Sequence, residues 1–237
     1  KTFGLIIFLI LIFNKNFGRD FYISLEGSPE NNGSKNKPWH SLDYALKKVG
    51  GGNTFVLMPG VYNEQIYLKS EYKGTRENPT VIKSHKKWLA SISTFEDFCV
   101  IIDYECDWTI IDGLRLTGSN LGGLLIRSDN NVIKNCWILN NTNGIYIHQR
   151  IGINIENNLI EFNGKNIVDN HGISGSGSNI SILNNVLRHN GSYGIHLFPR
   201  VERLVMINNI IHHQISGNGI IAFLDIREDD SKIFNNT

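Results

Sequence analysis

Two short segments of the chain place an aromatic ring, an imidazole and a guanidinium group at alternate positions. These residues are Tyr146, His148 and Arg150 in one segment and His196, Phe198 and Arg200 in the other. Alternate residues of a β-strand point to one face, so each triplet would form a row of side chains. An imidazole beside a phenol can transfer protons, and a guanidinium group can bind a carboxylate through two hydrogen bonds. The spacing therefore indicates acid–base chemistry on an anionic substrate, if both segments are strands.

The segments belong to a longer repeat, which is marked by paired asparagines. The first member of each pair is Asn135, Asn157, Asn184, Asn208 or Asn235, and Asp112 stands at the equivalent place upstream. These positions are 22 to 27 residues apart. Self-similarity at this spacing is typical of solenoids, in which each repeat forms one coil and stacks on the next.

Each repeat contains two apolar runs with an alternating pattern, such as Ile180–Leu183 and Ile195–Leu197. Such runs predict strands rather than helices. A leucine-rich repeat has the same period, but it needs a helical segment that is missing here. The sequence thus predicts a parallel β-helix. Its asparagines would adopt turn conformations and bond to one another along the coils. Asn185→Ala should therefore cost about 1–2 kcal/mol.

A glycine precedes the second run of each repeat and gives its register. These glycines are Gly123, Gly144, Gly172, Gly194 and Gly219. The residues one and three positions later are apolar in most repeats, so we expect them to face inward. The residues two, four and six positions later should then face outward.

An amphipathic helix should precede the coils. Ser41 can cap this helix, while Leu42, Ala45, Leu46 and Val49 would form its apolar face. Gly50 would end it. The next segment, NTFVLMPGVYNEQIYL, predicts a strand, a Pro-Gly turn and a second strand. We expect the helix to cover the open first coil and to protect its edge.

The strings FYISLEGSPENNGSKNKPWHSLDYAL and GGNTFVLMPGVYNE resemble the N-terminal cap of secreted right-handed parallel β-helix proteins of the pectate-lyase-like group. NHGISGSGSNISILNNVLRHNGSYGIHLF is similar to a coil pair of these proteins. The resemblance implies an all-β fold: residues 20–237 would form one right-handed β-helix, with its cap at 20–52. The group includes lyases, hydrolases, epimerases and non-catalytic proteins, so the resemblance leaves the activity open.

The outward positions of three neighbouring coils predict a trough. Its floor would be Ser174 and Ser176, between two walls of large side chains about 10 Å apart. The walls and rim would comprise Tyr146, His148, Arg150, His196, Phe198, Arg200, Lys165 and His171. We expect Arg150 and Arg200 to stand on either side of Ser178.

The resemblance suggests that the trough acts on a polysaccharide that contains uronates, by lyase chemistry. His196 would then be the base and Tyr146 the acid, while Arg150 and Arg200 would bind the carboxylate. His148, Phe198 and Lys165 would also contact substrate. His171 has two interpretations, a catalytic residue or a side chain that bonds the backbone of the loop before it. The alternative function is a non-catalytic surface protein, such as an adhesin or glycan-binding module, whose exposed histidines and arginines serve solubility.

The sequence does not identify a metal site. The group leaves calcium open as a cofactor, but no closely spaced run of acidic ligands is present, and the Pro-His-Asp string of alginate epimerases is missing. His212 and His213 are adjacent on an expected strand and should point to opposite faces. Hydrolysis by two carboxylates is poorly supported, because Asp169 and Asp225 have different offsets from the glycine.

Bulk properties limit the partners and the location. The net charge of +1 predicts no strong attraction to nucleic acid or to an anionic membrane. Residues 1–19 contain an apolar run from Phe3 to Phe13 that resembles an export signal, although an uncleaved anchor is the alternative. We therefore expect a secreted monomer, extracellular or periplasmic, that is free of the membrane after signal removal.

Three cysteines are too few for a disulfide framework. Cys136 stands in the asparagine position and should be a buried thiol, although a bridge between two cysteines stays possible after export. Because the chain ends within a repeat, we also expect that further coils follow it in a longer protein.

Overall fold

The computed structural model describes residues 18–164, 170–224 and 230–237. Within these residues, short parallel strands stack into one sheet of nine strands and two sheets of seven. Strands that are neighbours in a sheet are generally three apart in chain order, so the chain visits each sheet once per coil. The predicted parallel β-helix is confirmed.

Each sheet takes its name from the order in which a coil reaches it. Sheet 1 contains β1 (Asp20–Ile23), β2 (Thr54–Leu57), β5 (Thr80–Ser84), β8 (Thr109–Asp112), β11 (Val132–Lys134), β14 (Asn154–Glu156), β17 (Ser181–Leu183), β20 (Val205–Ile207) and β23 (Lys232–Phe234). Sheet 2 contains β3 (Gly60–Tyr62), β6 (Ala90–Ser93), β9 (Arg115–Thr117), β12 (Trp137–Leu139), β15 (Leu159–Glu161), β18 (Val186–Arg188) and β21 (Ile210–His212). Sheet 3 contains β4 (Ile66–Leu68), β7 (Phe98–Ile102), β10 (Gly122–Ile126), β13 (Asn143–Ile151), β16 (Ile173–Ser178), β19 (Ile195–Glu202) and β22 (Ile220–Leu224).

A full coil contains three strands, so the expectation of two runs per repeat is wrong. The short strands β17 and β18 lie on either side of Asn184 and Asn185. The asparagine pair is therefore a corner between sheets 1 and 2. The first asparagine of the pair takes a left-handed conformation, with φ of 56° at Asn184 and 57° at Asn208. Asparagine tolerates this region better than most residues.

The second asparagine of each pair is buried and forms a ladder. The Asn185 amide donates to Oδ1 of Asn209 at 3.0 Å and to the carbonyl of Ile155 at 2.8 Å. Its own Oδ1 accepts hydrogen bonds from the main-chain and side-chain nitrogens of Asn158, both at 3.0 Å. Buried amides are thus satisfied from coil to coil, as the repeat predicts.

A second ladder, which the sequence analysis missed, follows the strands of sheet 2. The amides of Asn141, Asn163 and Asn190 bond in series, at 3.2 and 3.0 Å. Gln214 continues the series by accepting from the main-chain N–H of Asn190 at 3.1 Å. Two of the corners of these coils are therefore held by side-chain amides.

The apolar core fills the coils and is closed at the N-terminal end by a helix. The inward residues of sheet 3 are buried from β4 to β19, and Ile145, Ile147 and Leu197 are fully buried. Helix α1 (Leu42–Val49) begins at Ser41, whose hydroxyl accepts from Tyr44 N–H at 3.1 Å, and ends at Gly50. Its buried residues Leu42, Ala45 and Leu46 join the core. A 3₁₀ turn occupies Ser70–Tyr72.

The ladder predicts a specific loss of stability on truncation of Asn185. Asn185→Ala removes the amide and leaves buried partners on Asn158 and Ile155 without bonds, so the free energy of unfolding should fall by about 2 kcal/mol. Asn184→Gly is the matched control, since it keeps the left-handed conformation and should change stability by no more than about 0.5 kcal/mol. Urea denaturation followed by circular dichroism measures both. Equal stability of the two variants would refute the structural importance of the ladder.

The three cysteines are buried and free. Burial raises the pKa of Cys99 and Cys106 to about 11 and that of Cys136 to about 12. A raised pKa keeps these groups as unreactive thiols at pH 8. Native protein should therefore react with a thiol reagent at least about 100-fold more slowly than urea-unfolded protein. A fast phase in the native protein would show that one thiol is accessible.

Candidate functional site

Four of the predicted catalytic and binding residues line one cleft at the outer face of sheet 3, namely Tyr146, His171, His196 and Phe198. In register, Tyr146 of β13 is opposite Ser174 of β16, which is opposite His196 of β19. This is the column two positions after the recurrent glycine. The predicted alignment of Tyr146, Ser174 and His196 is therefore confirmed.

These strands border a cleft of about 400 Å³. Its lining residues are Phe98, Leu121, Asn143, Tyr146, His171, Ser174, Gly175, His196 and Phe198. Tyr146 and Phe198 expose 40% and 55% of their surfaces, whereas Ser174 exposes 8%. The cleft thus has two exposed aromatic rings at its sides and a small hydroxyl group between them.

His171 and His196 form a hydrogen-bonded pair in this cleft. Nε2 of His171 lies 3.0 Å from Nδ1 of His196, and Nδ1 of His171 accepts from the main-chain N–H of Tyr193 at 3.3 Å. The main-chain N–H of His171 donates to Oδ1 of Asn143 at 3.0 Å. His171 is buried, and Asn143 and Tyr193 fix it from the two neighbouring coils.

The bond from Tyr193 favours one arrangement of protons in the pair. If Nδ1 of His171 accepts, a neutral His171 carries its proton on Nε2 and donates to His196. His196 then carries its own proton on Nε2, the nitrogen that is not bonded to His171. The opposite arrangement leaves Nε2 of His196 unprotonated, but it places a proton on His171 that opposes the Tyr193 N–H.

Aromatic neighbours hold the ring of His196. The ring of Phe198 is nearly parallel to it, with centroids 6.1 Å apart and an interplanar angle of 10°. The ring of Tyr193 is 5.3 Å away. Phe198 in turn contacts Phe223 of the next coil at 5.2 Å. These contacts restrict the rotation of His196 and place an apolar surface along one side of the cleft.

Bulges displace the two predicted arginines, so the expectation that they flank Ser178 is wrong. Gly175 and Gly177 of β16 are two positions apart. The residues aligned with them are three positions apart in β13, at Ile147 and Arg150, and four apart in β19, at Leu197 and Val201. Ser178 consequently lies opposite Ile151 and Glu202. The prediction assumed that side chains alternate between the two faces along the whole strand, and the extra residues of a bulge break this alternation.

The arginines and His148 do not line the cleft. Arg150 donates from Nε to the carbonyl of His148 at 2.7 Å, and its guanidinium group lies 5.7 Å from the Tyr104 ring. Arg200 forms an ion pair with Glu202. Lys165, Asp169 and Asp225 lie outside the described residues.

Sequence reasoning missed a polar cluster beside His148. Arg127 lies 3.5 Å from Asp103 and 5.6 Å from the Tyr104 ring, and the hydroxyl of Tyr67 donates to Asp103. Burial opposes ionisation of Asp103, but the bonds from Tyr67 and Arg127 prevail and lower its pKa below the ordinary value. Phe98, Leu121 and Asn143 of the cleft were also missed, because they precede the recurrent glycine or come from a more distant coil.

The structure corrects the expected geometry of His212 and His213. Their Nδ1 atoms are 2.5 Å apart, so the two side chains do not point to opposite faces. No group of three or more metal-ligating side chains occurs in residues 18–164, 170–224 and 230–237. Over the same ranges, no helix is long and apolar enough to cross a membrane.

Comparison with solved structures finds the same fold at low sequence identity. The chain superposes on pectate lyase Pel9A with a TM-score of 0.69 and 19% identity, covering 89% of this chain and 56% of that one. It superposes on a rhamnogalacturonan lyase with a TM-score of 0.65 and 13% identity, over 92% and 68% of the two chains. It also superposes on the lacto-N-biosidase of Eubacterium ramulus, with a TM-score of 0.53 and 12% identity, over 92% and 67%.

Sequence comparisons give a curated relative and a family. A stretch of 76 residues, 32% of this chain, is 32% identical to the uncharacterized protein YwoF of Bacillus subtilis (strain 168) and spans 16% of that protein. The family model that describes the right-handed β-helix region matches residues 78–237. Because this match covers more than half of the chain and agrees with its coiled parallel sheets, the chain belongs to the right-handed β-helix family.

Proposed function

We propose that this protein is a carbohydrate-active enzyme that binds an acidic glycan in the cleft and cleaves it by β-elimination. The observation that carries the proposal is the His171–His196 pair, held at 3.0 Å within a cleft that has aromatic sides and a hydroxyl floor. The names of the pectate and rhamnogalacturonan lyases, which have the same fold, support a glycan as substrate. A shared fold alone does not identify the reaction.

The titratable groups of the cleft favour elimination over hydrolysis. Its described lining contains Tyr146, His171 and His196 but no carboxylate. Glycoside hydrolases of the common type need two carboxyl groups across the scissile bond. Elimination from a uronate instead needs a base for the proton next to the carboxylate and an acid for the leaving oxygen. Imidazole and phenol can supply both.

The spacing of the strands suits one sugar ring. Tyr146 and His196 stand on strands at either side of β16, so their main chains are about 10 Å apart. The exposed rings of Tyr146 and Phe198 can cover the apolar face of a sugar. The Ser174 hydroxyl can bond to a sugar oxygen at the floor.

In this proposal His196 removes the proton and Tyr146 protonates the leaving oxygen. The base needs an unprotonated Nε2, so Nδ1 of His196 must carry the proton and donate to Nε2 of His171. This arrangement sacrifices the bond from Tyr193, which at 3.3 Å is long and whose loss costs about 1 kcal/mol. His171 would then orient the base and stabilise the imidazolium that forms.

The second candidate is a non-catalytic glycan-binding protein. One observation favours it: the described lining of the cleft contains no arginine or lysine, and Arg200 is paired with Glu202. A lyase must stabilise the negative charge that develops on the uronate carboxylate.

In the catalytic proposal, substrate also contacts predicted residues beyond the lining of the cleft. These residues are Arg150, His148, Arg200 and Lys165. The protein would be exported and act on the polysaccharide as a monomer.

A screen of uronate polymers tests the reaction. The unsaturated product absorbs in the ultraviolet, and we expect turnover on at least one polymer. His196→Ala and Tyr146→Phe should each lower kcat by about 10²–10⁴-fold while substrate binding is retained. His40→Ala, which alters an exposed histidine of the cap, is the matched control and should be fully active. Binding of a polymer without any product would support the non-catalytic function.

Two variants of His171 test its orienting role. His171→Leu should lower kcat by at least about 10²-fold with little change in KM, because His196 loses its partner. His171→Gln retains an amide that can bond to His196, so it should recover part of this loss. Equal activity of the two variants, with unchanged circular dichroism, would show that the bond to His196 has no catalytic importance.

A further inference from the structure

Three histidines meet on the outer surface beyond sheet 2, away from the cleft. The ring of His189 lies 5.3 Å from that of His213 and 6.2 Å from that of His212. The rings of His212 and His213 are 4.8 Å apart, and their Nδ1 atoms are separated by 2.5 Å. Phe162 stacks on His189 at 5.0 Å and extends the row.

The backbone explains why two consecutive side chains converge. His212 is the last residue of β21 and is partly exposed. His213 follows in the left-handed region, with φ of 53°, which breaks the alternation of the strand. Phe162 and His189 take the same conformation after β15 and β18, with φ of 55° and 54°. The corner therefore directs successive rings to one side of successive coils.

Two imidazole nitrogens this close must share a proton or a metal ion, because their lone pairs would otherwise face each other. Lone pairs repel if neither nitrogen is protonated, and 2.5 Å is shorter than the usual nitrogen donor distance of about 2.9 Å. A metal ion bonds to imidazole nitrogen at about 2.0–2.1 Å, so two nitrogens bound at a right angle are about 2.9 Å apart. A small rotation of either ring would open the angle at the ion.

The surroundings keep these rings available. His212 is partly exposed and His213 is exposed, so solvent and dissolved ions reach both rings. The nearby carboxylate of Glu161 is bonded to Nε of Arg188 at 2.6 Å and to Nε1 of Trp137 at 2.9 Å. It therefore does not compete for the protons of the histidines.

We propose that Nδ1 of His212 and Nδ1 of His213 chelate one divalent transition-metal ion. Water completes the coordination, because the described residues offer no third ligand in place. Imidazole donors follow the general order of affinity in which Cu²⁺ binds more tightly than Zn²⁺. The site is independent of the glycan cleft and of the reaction proposed there.

Titration of the full chain with CuCl₂ tests the site. Calorimetry should show one Cu²⁺ ion bound with micromolar affinity, and its electron paramagnetic resonance spectrum should show nitrogen ligands. His212→Gln and His213→Asn should each weaken binding by at least about 10-fold, the loss of one bidentate partner. Asn is compatible with the corner because Asn140 occupies the equivalent place with φ of 54°. Circular dichroism should confirm that both variants are folded.

The cleft supplies the matched control. Its pair of imidazoles also has nitrogens 3.0 Å apart, so His196→Asn removes the other place where two rings could bind the ion. The affinity for Cu²⁺ should stay within about 2-fold of wild type in His196→Asn. The proposal is overturned if His196→Asn abolishes binding, if the variants at 212 and 213 retain full affinity, or if no Cu²⁺ binds at micromolar concentration.

Discussion

The hydrogen bonds between asparagine side chains of successive coils are the constraint on which the rest of the structure depends. Each buried amide bonds to the main chain and to the next amide, as Asn158, Asn185 and Asn209 do. An unpaired amide in the core would cost more than the bond contributes, so the coils cannot slip independently. The two corner ladders thus fix where the coils of β12, β15, β18 and β21 enter and leave sheet 2, whatever the length of their remaining loops.

The strands of sheet 3 are less regular than those of the other sheets, and the cleft lies on this sheet. Its strands range from three residues in β4 to nine in β13, and bulges interrupt the pairing of β13, β16 and β19. Glycines permit the bulges: Gly175 and Gly177 have φ of 132° and 145°. A Cβ atom at these positions would lie 2.0 Å from the Ile147 carbonyl oxygen and 1.9 Å from that of Arg150. The small floor is therefore required by the backbone as well as by any ligand.

The contrast between the regular corners and the bulged strands of sheet 3 explains how much of the structure could be predicted from the sequence. Repeating features were accessible: the coils, the left-handed asparagines and the alignment of Tyr146 with His196 follow from one register. The third strand of each coil was missed, because Val186–Arg188 directly follows the asparagine pair and was not counted as a separate run. Departures from the repeat were not accessible, since a bulge depends on how two strands meet. For this reason the arginine positions were wrong and the contribution of Phe98, from a more distant coil, was missed.

The imidazole groups of the two histidine pairs have different environments. One pair lies at the strands of sheet 3, and the other lies at the corner after β21. His171 and His196 come from adjacent coils, and a main-chain N–H from Tyr193 occupies one of the four ring nitrogens. Their contact is partly buried, so its proton arrangement is controlled by the protein. His212 and His213 belong to one coil, and their rings meet at a solvent-exposed corner. Burial and a fixed donor therefore favour proton transfer in the first pair, and exposure favours ion binding in the second.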